Sequence, residues 1–376
     1  MPVENKHFRT IWEEKGGRIF ILDQTRLPFH EVTKELKTLD DACRAIADME
    51  VRGAGLIGVT AGYGMYIAGR EAAERMTATD TFAFNRYINE AGGKLRSTRP
   101  TAVNLAYAVD RQLLAISCCE RVEDKVAALH QVAKDIHEAD TDCCKRIGEN
   151  GLTIIKMALA NKGGKEPLNI MTHCNAGALA FSAYGSATAP IYAADAEGID
   201  VHVWVSETRP RNQGGLTAWE MRKYRIPHTV IADNEAGHLM QHGMVDLIIV
   251  GTDRTTRTGD VANKIGTYLK AVAAKDNGVP FFVALPSTTF DWNLRDGMDI
   301  PIEQRNPGEV RYVTGMTKDE WSVDTVCLYD EKSPCANYAF DVTPARLVTG
   351  LITERGVCDA NEEAILRLFP ERRIEK

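Results

Sequence analysis

The chain has 376 residues, 44% of them hydrophobic and 26% charged, with a formal net charge of −7. This is a globular composition and excludes a mainly disordered chain. The acidic balance leaves no electrostatic footprint for nucleic acid or for an anionic membrane, so an anionic ligand has to be caught by a local site.

At the N-terminus, Met1-Pro2-Val3-Glu4-Asn5-Lys6 is polar and leads into no apolar segment of a secretory leader. No apolar run approaches the ~18 residues of a membrane-spanning helix. The nine cysteines are odd in number and contain no C-x-x-C, which fits neither a disulfide framework nor a zinc finger. Reduced thiols in a cytoplasmic protein are expected. Arg18 to Asp23 reads as a short strand before a break at Leu27-Pro28. Asp40 or Asp41 is expected to cap a helix with Ala42, Ala45, Ile46 and Met49 on one face. Gly53-Ala54-Gly55-Leu56-Ile57-Gly58 matches the dinucleotide fingerprint G-x-G-x-x-G. That motif needs a strand before it, and residues 41 to 51 read as a helix, so nicotinamide binding is not expected. Arg52 and its glycines instead suit a turn whose backbone approaches a ligand closely. Arg99 precedes a helix whose start Pro100 and Thr101 define. That helix runs through Leu105, Val109, Leu113 and Leu114, and the next through Val122, Val126, Leu129 and Val132.

Gly163-Gly164-Lys165-Glu166-Pro167 punctuates a change of texture. The expected division is a helical domain over 1–162 and a Rossmann-like domain over 163–376. Apolar runs recur at 168–172, 201–205, 228–232, 247–251 and 281–285. Helical patterns such as Leu216 to Tyr224 and Asn263 to Lys275 lie between them. This alternation predicts β-α-β units and a parallel sheet covered on both faces. The fold class is therefore α/β. Ligands of such sheets bind beyond the carboxyl ends of the strands.

Those ends are rich in chemistry. Cys174 follows the first run in Thr172-His173-Cys174-Asn175-Ala176-Gly177, where a following helix N-terminus is expected to favour the thiolate. Glu207, Arg209, Arg211 and Gln213 follow the second, and arginine forks suit phosphate or carboxylate. Asp253 follows the fourth and suits a general acid or base if burial raises its pKa. Asn263 and Lys264 are expected to open the next helix, where an anion is favoured, with Asp260 as its cap. The scattered histidines match no zinc spacing, and neither a P-loop nor G-x-S-x-G occurs.

Together these motifs carry a specific resemblance. Arg52-Gly53-Ala54, Arg99 to Leu105, Thr172 to Gly177, Glu207-Thr208-Arg209-Pro210, Gly251 to Arg254, Gly259 to Thr267 and Phe340-Asp341-Val342-Thr343-Pro344 stand in one order. From about Ile21 to about Glu354 the sequence resembles the methylthioribose-1-phosphate isomerases. They belong to a larger family that also holds ribose-1,5-bisphosphate isomerase and the α, β and δ subunits of translation initiation factor 2B. The resemblance implies a helical domain, a Rossmann-like domain and a homodimer. It also implies an aldose–ketose isomerisation in methionine salvage, from 5-methylthioribose 1-phosphate to 5-methylthioribulose 1-phosphate. Cys174 and Asp253 map onto the catalytic pair. Arg52, Gly53, Ala54, Arg99, Gln213, Asn263 and Lys264 map onto substrate contacts, with no cofactor or metal. Arg52, Arg99 and Lys264 are expected to form a small basic pocket. Gly55 and Thr252 stand where the family commonly has proline and alanine, and the segment Arg211 to Leu216 is short. A 5-deoxyribose 1-phosphate or ribose 1,5-bisphosphate substrate therefore stays open, with Arg211 as a second anion site for the bisphosphate. A non-catalytic subunit like those of the initiation factor is the alternative from another class.

Overall fold

Residues 8–76, 80–100, 102–165, 167–319 and 321–373 are described in the computed structural model. The Met1 to Lys6 opening, Thr101 and Glu166 lie outside the described residues. The chain packs as two compact units. One is the chain up to Cys144 with Gly177–Gly185, and the other is Lys145–Ala176 with the chain from Ser186.

In the first unit, strands β1 (Ile11–Glu14), β2 (Arg18–Leu22) and β3 (Thr33–Leu36) form an antiparallel sheet in that order. Ile11, Ile19 and Ile21 turn inward to the core, as period-two alternation requires. Helix α1 (Leu39–Ala47) starts earlier than the sequence suggests. Its cap is Thr38, not Asp40 or Asp41. The Thr38 side chain accepts from the Asp41 N–H, and the Asp41 carboxylate accepts from the Thr38 N–H at 3.0 Å. Both groups are satisfied in one capping box. Helices α2 (Ala54–Arg75), α3 (Thr81–Thr98), α4 (Val103–Ser117) and α5 (Val122–Asn161) follow. The fingerprint glycines open α2, and α1 precedes them, so the strand that dinucleotide binding needs is missing. The segment Gly177–Gly185 joins this unit through Thr10 Oγ1 donating to Ala178 O and Gln24 Nε2 donating to Leu179 O, both at 2.7 Å.

The last turns of α5 belong to the second unit. There Asn150 Nδ2 donates to Thr353 O at 2.8 Å. The elements that follow are β4 (Leu168–His173), α6 (Ala189–Ala196), β5 (Val201–Ser206), α7 (Gln213–Tyr224), β6 (His228–Ile231), α8 (Ala236–Gln241) and β7 (Leu247–Val250). Next come β8 (Arg254–Thr256), β9 (Val261–Lys264), α9 (Thr267–Asp276), β10 (Phe281–Ala284) and β11 (Phe290–Asp291). The chain ends with α10 (Gly308–Arg311), β12 (Tyr312–Met316), β13 (Val323–Cys327), β14 (Phe340–Thr343), β15 (Gly350–Thr353), β16 (Gly356–Cys358) and α11 (Glu362–Leu368). The main sheet has the order β16-β15-β10-β7-β4-β5-β6. All of its pairings are parallel except that of β16 with β15. Strands β7 and β10 are buried at every residue, which explains their unbroken apolar runs. From β4 the chain winds outward through β5 to β6, then returns to the other side of β4 with β7 and β10. This is doubly wound, Rossmann-like topology, and its order reverses between β4 and β7.

A smaller sheet, β11-β8-β9-β14, corrects one expectation. Asn263 and Lys264 do not open a helix. They end strand β9 and face Asp341 and Phe340 of β14. Helix α9 begins at Thr267 behind Gly266. The Asp341 carboxylate accepts from the N–H groups of Gly266 at 2.7 Å and Tyr268 at 3.0 Å, and so takes the capping role. Asp260 is not that cap. Its two oxygens accept from Gly297 N–H at 2.9 Å and Ala345 N–H at 2.8 Å, tying two loops together.

Candidate active site

Cys174 and Asp253 follow β4 and β7, the neighbouring parallel strands that flank the reversal. With Met171 paired to Ile248, both residues leave the sheet at its carboxyl edge, from strands about 4.8 Å apart. This is the crevice where open α/β sheets hold ligands.

Cys174 is buried and its backbone is left-handed, with φ at +67°. A non-glycine residue adopts that conformation at a cost and needs its surroundings to hold it. Two threonines do so. The Cys174 N–H donates to Thr208 Oγ1, and the Cys174 carbonyl accepts from Thr217 Oγ1, both at 2.8 Å. The helix expected just after Cys174 is absent. Only a 3₁₀ turn at Ala178–Ala180 follows, and α6 starts at Ala189. The helix that touches Cys174 is α7, through Thr217. Asp253 donates its N–H to Ala262 O at 2.9 Å. The residue is exposed, not buried as the acid role anticipates.

Beside Cys174 lies a charged cluster. Asp233, after β6, accepts from Ser206 Oγ, from Thr208 N–H at 2.9 Å and from Arg209 N–H at 2.7 Å. Buried Lys270 stands 3.8 Å from it. Burial opposes ionisation of Asp233, but these hydrogen bonds and Lys270 outweigh it and hold the carboxyl below its ordinary value. His173 Nε2 donates to Ile265 O at 2.8 Å, and Nδ1 faces Asp233 at 3.7 Å. Burial, reinforced by Lys270 against the pull of Asp233, pushes His173 down to about 3. The imidazole is therefore neutral, while burial also lowers Lys270.

Lys264 is buried with its Nζ 4.4 Å from the Phe340 ring centre. Asn263 is buried and donates to Thr267 Oγ1 at 3.1 Å. Gln213, the first residue of α7, is buried with Oε1 lacking a hydrogen-bond partner in the described structure. These three suit a polyhydroxylated anion. The arginines of the same loop have partners within the protein. Arg209 donates to the carbonyls of Pro210 at 2.9 Å and Val310 at 2.8 Å, and Arg211 pairs with Glu309 at 3.3 Å. Among the described residues, no three His, Cys, Asp or Glu side chains form a set that would hold a metal ion.

The other expected contacts lie in the first unit. Arg52 precedes α2, Gly53 caps it with φ at +93°, and Ala54 is its first residue. The close approach that Gly53 permits is to protein, because a Cβ there would lie 2.4 Å from Ala180 O. Arg99 ends α3, and its carbonyl accepts from Ala102 N–H at 3.0 Å. Sequence reasoning gives no role to Thr217, Glu220 and Lys270, and places Thr208 and Asp233 after strands without assigning them one. Thr217, Glu220 and Lys270 lie inside helical patterns, which mark a face but not its neighbours. Asp233 does stand at a strand end, the one signal that points to it.

A doubly wound sheet, with Cys174 and Asp253 after the strands that flank its switch point and buried Lys264 and Lys270 in the same unit, defines a Rossmann-like unit. The chain belongs to the Initiation factor 2 subunit family, whose model matches residues 50–360. It is 53% identical over 368 residues to a methylthioribose-1-phosphate isomerase of Desulfosudis oleivorans, covering 97% of this chain and 98% of that one. The crystal structure of 5-methylthioribose 1-phosphate isomerase from Pyrococcus horikoshii OT3 is 35% identical with a TM-score of 0.85, and 97% of each chain is covered. That of translation initiation factor eIF-2B, subunit delta, from A. fulgidus is 34% identical with a TM-score of 0.82, covering 96% of this chain and 99% of that one.

Proposed function

We propose that this protein is an aldose–ketose isomerase that converts 5-methylthioribose 1-phosphate to 5-methylthioribulose 1-phosphate, as a cytoplasmic homodimer in methionine salvage. One observation supports the reading: Cys174 and Asp253 each follow one of the two neighbouring strands that flank the switch point of the sheet. The identity to a curated isomerase, 53% over nearly the whole chain, supports the enzyme reading.

The chemistry suits these side chains. A sugar phosphorylated at its anomeric oxygen does not open freely to an aldehyde. Asp253, as the acid, protonates the ring oxygen while the C1–O bond breaks, leaving C1 electron-poor. Cys174, as the thiolate, takes the proton from C2, and the C1–C2 double bond of an enol forms. The thiol then returns that proton to C1 while the C2 hydroxyl passes its proton to the Asp253 carboxylate and becomes the carbonyl. Atoms and electrons balance within the sugar, so the step calls for no external oxidant or reductant. Lys264 and Asn263 hold the phosphate, and Gln213 meets a sugar hydroxyl. The substrate roles that the resemblance implies for Arg52, Gly53, Ala54 and Arg99 belong to the same proposal. Arg52→Ala and Arg99→Ala should raise KM.

The test has two parts. The three candidate sugar phosphates are compared by kcat/KM, the quantity that measures discrimination, with 5-methylthioribose 1-phosphate expected to lead. Cys174→Ser and Asp253→Asn should each lower kcat by ~10²-fold or more in a folded protein, as expected when an acid–base group is lost. Failure to turn over any of the three sugars refutes the isomerase reading. Near-normal turnover in either variant removes that residue from the mechanism.

A further inference from the structure

Behind Cys174 lies a buried carboxylate that the isomerisation does not use. Glu220, on α7, is fully buried. Its Oε1 accepts from Asn175 Nδ2 at 2.8 Å, and its Oε2 accepts from Tyr192 Oη at 2.7 Å. Burial, and next Glu220 itself, push the Tyr192 hydroxyl well up, so it stays protonated and donates. Asn175 Nδ2 also donates to Thr217 Oγ1 at 3.1 Å, and Thr217 Oγ1 donates to the Cys174 carbonyl at 2.8 Å. The carboxylate thus sets the sense of the bonds that run from it through Asn175 and Thr217 to the Cys174 carbonyl.

A buried carboxylate is costly unless hydrogen bonds satisfy it, and polar networks of this kind fix one geometry when complete. The amide of Asn175 can serve Glu220 and Thr217 together only with its NH₂ turned inward. That leaves Thr217 one way to direct its own proton, at the Cys174 carbonyl. The left-handed backbone at Cys174 is what this holds in place.

We infer that Glu220 is a positioning residue for Cys174, acting through Asn175 and Thr217 to fix the peptide that aims the thiol. The link to turnover rests on the isomerase reading above; the link to thiol geometry does not. Glu220→Gln keeps the volume but brings an NH₂ group where only acceptors stood. Thr217→Val keeps the shape and removes the hydroxyl. Thr217→Ser keeps the hydroxyl.

In Glu220→Gln and Thr217→Val, kcat should fall at least about tenfold with KM nearly unchanged, since misplacement of a reacting group by about 1 Å costs up to ~10²-fold. Thr217→Ser should restore kcat. Alkylation of Cys174 by iodoacetamide, read peptide by peptide, should speed up severalfold in the first two variants as the buried thiol loosens. Cys358, in the same unit, should keep its rate. Glu220→Gln with both kcat and Cys174 alkylation unchanged overturns the inference. So does parallel acceleration at Cys358, which marks general loosening. If the unaltered protein turns over no sugar phosphate, the isomerase reading falls, and the alkylation rates alone decide whether Glu220 positions the thiol.

Discussion

Replacing His173 by glutamine should flatten the acid side of the stability curve. His173 is buried at the tip of β4 and held at about 3, so it stays neutral in the folded protein. Unfolded, it regains an ordinary pKa near 6.5, so below that the unfolded chain binds more protons and stability falls with pH. At about pH 5 the unfolded histidine is protonated over neutral by a factor of about 30, a loss of about 2 kcal/mol relative to pH 8. This loss depends only on the unfolded value while the folded one stays well below 5. His137, in the first unit, is buried and held at about 4, mainly by burial and then by Arg9. It should contribute a similar loss of about 2 kcal/mol. Asp140 works the other way. Burial raises it to about 6 against two hydrogen bonds from Ser182, so it gives back about 1 kcal/mol as pH falls from neutral to about 5. Asp140 therefore offsets part of the loss that His137 brings to the first unit. The glutamine side chain of His173→Gln keeps an N–H donor for Ile265 O and does not titrate. Urea unfolding at pH 8 and pH 5, with hydrogen exchange to separate the units, measures both. An equal loss in His173→Gln and the unaltered protein would refute a buried neutral imidazole.

Gly53→Ala puts a Cβ 2.4 Å from Ala180 O on a backbone at φ +93°, and should destabilise the first unit by about 2 kcal/mol or more; an unchanged Tm would contradict this. Thr208→Val removes the acceptor for the Cys174 N–H. It should cost about 1–3 kcal/mol of stability, the penalty for a buried donor left unsatisfied, and lower kcat; wild-type values of both would show that the clamp is dispensable.

Much of the fold is legible in the sequence because its cause is local. The five apolar runs become β4, β5, β6, β7 and β10. Interior strands β7 and β10, covered on both faces, carry unbroken apolar runs, while edge strand β6 leaves Thr229 and Val230 exposed. The switch-point rule then points to Cys174 and Asp253 before any coordinates exist. What escapes the sequence depends on partners remote along the chain. Strand β9 carries Asn263 and Lys264, polar residues that read as a helix start until β14 pairs with them. The helix beside Cys174 is α7, some forty residues away, a neighbour set by the crossover and not by the next segment. The α1 cap falls at Thr38 because Thr38 and Asp41 share one capping box, a reciprocal bond that the acidic residues alone do not announce.

Gly214 shows how closely the site depends on packing that a sequence motif does not reveal. It lies in the first turn of α7, and its N–H donates to Glu207 O at 3.1 Å. A Cβ at this position would lie 2.1 Å from Ser206 O and 2.8 Å from Glu207 Cα. Both are main-chain atoms, so no rotamer change relieves the clash in Gly214→Ala, and α7 must move off the end of β5. That movement pulls on Thr217, which is on α7, and on Thr208, which follows Glu207, and these hold the two peptide groups of Cys174. Overpacking of this kind costs about 1–3 kcal/mol. A shift of about 1 Å at a reacting group costs up to ~10²-fold in rate. Gly214→Ala should therefore lose activity more steeply than stability: kcat should fall at least about tenfold at a temperature where the protein is still folded by circular dichroism. Full activity in a variant with a lowered Tm would mean that the clamp on Cys174 tolerates displacement of α7, and that the thiol's position is set from β4 alone.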